Sequence, residues 1–152
     1  MANQLSQLLT FIIEVYDAIP LVNTICFKDD DVVDVEKENL YPLVSIQLLS
    51  GPAPDWYNRQ YIIAFEVLNQ RDDTKTSTGS KLLADTNYID NIGITDSIAN
   101  NFLMEVLKDH NDLDIQIVDG SISTFEPVRK DERNALDGIK FSATFMMHQN
   151  SI

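Results

Sequence analysis

Cysteine is almost missing from this chain: among 152 residues there is one, Cys26, set between Ile25 and Phe27. A lone thiol rules out an intrachain disulfide and a thiolate zinc cluster, and its apolar neighbours point to an inert buried side chain. Histidine is nearly as scarce. His110 and His148 are the only two, neither has a second histidine or cysteine at metal-ligand spacing, and no H-E-x-x-H occurs. Both are expected at the surface. Five glycines leave no phosphate-cradling loop. The stretch TSTGSK at residues 76–81 ends like one, yet it lacks the first glycine and puts serine before lysine. G-x-S-x-G is absent as well. Basic residues number 11 against 24 acidic ones, giving a net charge of −13. Phosphate contacts need lysine and arginine, so this balance argues against a nucleic-acid-binding face and against adhesion to anionic membrane. No apolar run approaches the ~18 residues of a membrane span. The opening MANQLSQLLTFIIEV has no basic stretch or small-residue cleavage site, and Glu14 and Asp17 interrupt it. The expectation is a non-catalytic protein of a reducing cytoplasm, without metal or cofactor.

The acids themselves form no recognisable site. Asp29, Asp30, Asp31 and Asp34 suggest calcium, but a calcium loop starting at Asp29 would place Val33, Asp34 and Leu40 where oxygen, glycine and glutamate are required. A solvated loop is the simpler reading of residues 28–39. Carboxylate pairs can be drawn anywhere among 24 acids, so none carries weight.

What the chain does have is strong alternation. In YNRQYIIAFEVLN, residues 57–69, Tyr57, Tyr61, Ile63, Phe65 and Val67 fall on one row. Ile62, Ala64, Glu66 and Leu68 form a more mixed row opposite, which is the pattern of a strand. Residues 40–49 form a second apolar run, joined to the first by the turn-rich SGPAPDW, and together they predict an antiparallel hairpin. Leu5, Leu8, Leu9, Ile12, Val15, Tyr16 and Ile19 recur at helical steps, predicting an amphipathic helix over 3–18 that Pro20 ends. Residues 21–27 read as a short strand. Residues 70–81, QRDDTKTSTGSK, are almost devoid of apolar groups and predict a polar arm. A second helix follows, either starting at Thr95 or Asp96 after a break at Gly93, or running unbroken from near Asp85. Lys108 and His110 would set a cation in its last turn. Leu113, Ile115 and Ile117 predict a strand halted at Asp119–Gly120. Residues 121–128 follow at hairpin distance until Pro127 ends regular pairing, and Arg129–Gly138 reads as a charged turn. The last strand starts at Ile139, with Phe141, Ala143, Phe145 and Met147 on its apolar face. The sum is one α+β domain over residues 1–152: a mostly antiparallel sheet with two helices packed on one face.

Three stretches resemble the tail-terminator and tail-completion (neck) proteins of tailed bacteriophages. They are YPLVSIQL at Tyr41–Leu48, YIIAFEVLNQRDD at Tyr61–Asp73 with the polar arm after it, and STFEPVRKDERNALDGIKFSATFMM at Ser123–Met147. The acidity at Asp29–Asp31 is heavier than that family's pattern requires. The resemblance implies a structural virion protein, made in the host cytoplasm. Members assemble as rings, commonly of six copies, at the end of the tail tube or the head–tail junction. Its partners would be further copies and other tail, connector or portal proteins. DNA would pass through an acidic ring without specific binding. Subunit and tail contacts are then expected from the arm (Asp72, Asp73, Lys75, Thr78), the acidic loop (Asp30, Asp31), Trp56, and the charged segment holding Arg129, Lys130 and Arg133. The rival reading is a monomeric cytoplasmic ligand-binding or adaptor domain with Trp56 and Tyr57 at the rim of a pocket. An arm of twelve polar residues has little use in such a module, whereas a ring subunit can order it on assembly.

Overall fold

The computed structural model describes residues 4–27, 41–51, 58–71, 87–108, 115–130 and 135–148, the side chains of Asn58 and His148 excepted. The helical spacing of the first segment gives α1 (Gln4–Asp17), which buries Leu8, Phe11, Ile12, Val15 and Tyr16. Next come β1 (Thr24–Phe27), β2 (Leu43–Ser50), β3 (Asn58–Gln70), α2 (Tyr88–Val106), β4 (Ile115–Ile117), β5 (Glu126–Lys130) and β6 (Leu136–His148). The six strands form one sheet in the order β1-β2-β3-β6-β4, with β5 also paired to β6. Only β1 and β2 run parallel; every other pairing is antiparallel. The predicted hairpin is β2–β3, with Ile46 opposite Phe65, and β6 lies along the whole length of β3.

Alternation decides which face is dry. Tyr61, Ile63, Phe65 and Val67 of β3 and Ile139, Phe141, Ala143, Phe145 and Met147 of β6 are all buried, as the period-two pattern requires. Both helices cover this face. Phe65 is its centre, with ring centroids of Tyr16, Phe102, Phe141 and Phe145 all between 5.0 and 6.1 Å away. Tyr16 of α1 stacks on Phe102 of α2 at 4.1 Å with planes 3° apart, so aromatic packing locks the two helices together over the sheet. Burying a side chain of this size contributes roughly 1.5–3 kcal/mol.

The Tyr16 hydroxyl is buried in this packing without a hydrogen-bond partner. Its removal from water pushes the phenol well above the ordinary tyrosine value. Above about pH 10 the unfolded chain releases this proton while the folded chain keeps it, so stability falls as pH rises. Tyr16→Phe is expected to flatten that alkaline fall. At neutral pH it should leave stability unchanged or raise it by about 1 kcal/mol. Urea midpoints for both proteins, at neutral pH and near pH 11, check this; parallel declines would refute it.

Of the two readings of the second helix the unbroken one holds: it is continuous through Gly93, where an added Cβ would meet open space, so the glycine costs only intrinsic propensity. Four other details are corrected. That helix ends at Val106 with no basic residue in its last turn, and Lys108 instead reaches Glu105 at 2.9 Å; His110 lies outside the described residues. Residues 121–128 do not form a hairpin with β4. Both segments lie along the same side of β6, and between them Ser121 and Ser123 stitch the gap with their hydroxyls: Ser142 N–H donates to Ser123 Oγ at 2.8 Å, and Thr144 N–H to Ser121 Oγ at 3.1 Å. Pro127 sits inside β5, opposite Ile139, on an outer strand where its missing N–H costs no ladder bond. The expected turn is correspondingly shorter. Arg129 and Lys130 belong to β5, and Leu136, Asp137 and Gly138 to β6.

Candidate interaction surface

The sheet face away from the helices is mixed, as the second row of β3 predicts. At one end Tyr41, Leu43, Leu68 and Leu136 bury a small second cluster against Cys26 and Val128. Next to it a charged row crosses four strands, with Ser45 opposite Glu66, Glu66 opposite Lys140, and Lys140 opposite Glu126. Lys140 Nζ lies 3.4 Å from Glu126, and Lys130 Nζ 3.2 Å from Glu66 Oε2, an ion pair without hydrogen-bond geometry. The Lys140–Glu126 pair is exposed enough to contribute no more than about 1 kcal/mol. The following row is short: Gln47, Ala64 and Ser142 floor a cavity of about 380 Å³ that Ser123 and Leu49 also line. Among the described residues, no group of three histidine, cysteine, aspartate or glutamate side chains is placed to hold a metal ion. Nor is any helix of the described residues long and apolar enough to cross a membrane.

The polar arm has a different beginning from the one its composition predicts. Gln70 is the last residue of β3, and Arg71 is buried rather than solvated. Arg71 grips Asp137, itself fully buried, with Nε 3.2 Å from Oδ2 and Nη2 2.9 Å from Oδ1. Its backbone N–H donates to the Ala135 carbonyl at 2.7 Å. The far root is held as well. Asn87 Nδ2 and Asn91 Nδ2 both donate to the Gln70 carbonyl at 3.2 Å, and Asn69 Nδ2 donates to Asn91 Oδ1 at 2.8 Å. Arg71 and Asn87, the described residues on either side of 72–86, are therefore brought together by a polar clasp. Just beyond it Ile89 stands exposed in the first turn of α2, and at the far end of the helix Met104 and the C-cap Leu107 are exposed too, all three by more than 60%.

Of the ten residues singled out from the sequence, two are described. The Arg129 guanidinium stands 5.3 Å from the Tyr88 ring centroid, and Lys130 pairs with Glu66. Asp30, Asp31, Trp56, Asp72, Asp73, Lys75, Thr78 and Arg133 lie outside the described residues, as does Tyr57. Sequence reasoning missed Arg71 and Asp137, because Arg71 sits between Gln70 and Asp72 and Asp137 beside Gly138 in what reads as a charged turn. Leu48 and Leu49, both exposed, were absorbed into a strand whose apolar run gave no sign that its second half is uncovered.

No family model matches this chain, and no curated protein matches it either.

Proposed function

We propose that this chain is a non-catalytic structural subunit of a tailed-phage virion, a tail-terminator or neck protein that assembles with further copies into a ring. The observation that carries the reading is the clasped base of the arm. The polar stretch is preceded by Arg71, held in a buried pair with Asp137. The segment ends at Asn87, which donates to the Gln70 carbonyl, so the two roots stand close together, and this suits a limb that reaches a neighbouring subunit. Exposed Ile89 in the first turn of α2, next to Asn87, offers apolar area for the same neighbour. The three stretches that resemble the family lie on β2, β3 and β5–β6, which are contiguous lanes of the sheet.

Solution mass by light scattering tests the proposal. The expected species approaches six times the 17.2 kDa of one chain. Each copy carries −13, so the oligomer should gain population with salt, as the screening length falls from ~30 Å at 0.01 M to ~3 Å at 1 M. Replacing residues 74–80 with a Gly/Ser segment should lower the oligomer fraction and leave the fold intact, since Arg71 and Asn87 keep their contacts. A strict monomer at every salt concentration that also binds no tail or portal component would end the proposal. It would favour the ligand-binding or adaptor reading, for which the 380 Å³ cavity is the available site.

A further inference from the structure

The cavity on the outer face of the sheet has no part in the ring reading. Its volume of about 380 Å³ is toward the small end of the roughly 300–1,000 Å³ of ligand sites. Every residue that lines it is among the described ones. The floor is low because Ala64 and Ser142, directly opposite each other on β3 and β6, are both small. Glu66, Lys140, Glu126 and Ser45 stand along one side, and the apolar Leu49 lies further along β2.

The charges beside this floor cancel. Glu126 pairs with Lys140, and Glu66 with Lys130, so a ligand meets a neutral row in a chain that carries −13 overall. Hydrogen-bonding capacity is left over. Among the described residues, the hydroxyls of Ser45 and Ser142 and the amide of Gln47 engage no partner, and each of these groups both donates and accepts. Glu66 Oε2 is buried and receives no hydrogen bond, although Lys130 Nζ lies 3.2 Å away. A buried acceptor in that state calls for a donor.

We propose that this cavity binds a saccharide unit, a neutral ring with adjacent hydroxyls. One hydroxyl donates to Glu66, others exchange hydrogen bonds with Ser45, Gln47 and Ser142, and the C–H face of the ring lies toward Ala64 and Leu49. The inference does not rest on the ring reading, since it uses neither the arm nor α2, and a monomer and a ring subunit would carry the site equally.

The test is a titration of the isotope-labelled chain with glucose, galactose, mannose and maltotriose, read by amide chemical shifts, with glucosamine and glutamate as charged controls. At least one sugar is expected to bind at ~1 mM, within reach of a ligand of this size, and to move the amides of Gln47, Ala64, Glu66 and Ser142. Glu66→Gln keeps the shape of the side chain and should weaken binding about tenfold. Ala64→Leu fills the floor and should abolish it. Circular dichroism and solution mass, unchanged from the wild type, confirm that the variants are folded. Tighter binding of maltotriose than of glucose would assign a unit of a longer chain, and equal binding a free sugar; both support the site. No shift with any of the sugars up to ~50 mM would overturn the proposal. So would shifts that survive both substitutions, or charged controls that bind as tightly as the sugars.

Discussion

Arg71→Ala is expected to remove about 3–5 kcal/mol of folding stability, a large share of the 5–15 kcal/mol typical of a domain. Asp137 is fully buried and its two carboxylate oxygens are met by Nε and Nη2 of the same guanidinium. Truncating Arg71 strands that carboxylate without its partner and without water. Two further acceptors would lose their donor, because Nη2 also reaches the carbonyls of Leu136 at 3.4 Å and Lys130 at 3.5 Å. The contact joins the end of β3 to the start of β6, where the polar arm leaves the core. Urea unfolding of the wild type, Arg71→Ala, Asp137→Ala and the double variant forms the check. The double variant should be far less damaged than the sum of the singles, since it leaves no unpaired charge. The pair Lys140–Glu126, exposed by 53% and 62%, is the control, and breaking it should move stability by no more than about 1 kcal/mol. A loss at Arg71 no larger than at Lys140 would show that the buried pair does not hold this corner.

Gly138→Ala is expected to cost about 3 kcal/mol, at the upper end of ordinary overpacking. Gly138 faces Leu68 across the β3–β6 ladder, and a Cβ there would overlap the carbonyl oxygen of Val67 and lie 3.0 Å from Cα of Leu68. These are backbone atoms of the central strand, so no side chain can rotate out of the way. The two longest strands must part or shift. Gly93→Ala is the matching control: the same added methyl points into open space on α2, and about 1 kcal/mol of stabilisation is expected from helix propensity. Thermal unfolding of the two variants should move in opposite directions. If Gly138→Ala melts with the wild type, the close approach of β3 and β6 is not a constraint.

Periodicity explains which elements were legible. α1, β3 and β6 each bury one continuous stripe, and a stripe at steps of two or of three and four is visible in residue order alone. Edges were less so. β5 was read as broken because proline normally ends pairing, yet an outer strand needs a ladder bond on one side only, so Pro127 fits there. The alternation of Leu113, Ile115 and Ile117 announced β4, but the serine stitch beside it escaped notice for a related reason. At Ser121 and Ser123 side-chain hydroxyls accept from β6 backbone amides beside the Ser123 N–H to Ser142 carbonyl bond, and no hydrophobic pattern marks such a stitch.

The candidate surfaces divide along the same line. An arm without apolar residues is evident from composition, but its clasp is not, because Asn69, Asn87 and Asn91 look like any polar residues until the fold brings them to Gln70. By itself the sequence determined the α+β class, the dry face of the sheet, the acidity and the absence of motif-bearing chemistry. All of these follow from local alternation and residue counts. Only the tertiary structure decided that Arg71 and Asp137 are buried partners, that Gly138 is required by a neighbouring backbone, and that Pro127 lies on an outer strand paired to β6. Burial, close approach and strand pairing depend on which distant segments become neighbours, and residue order carries no direct record of that.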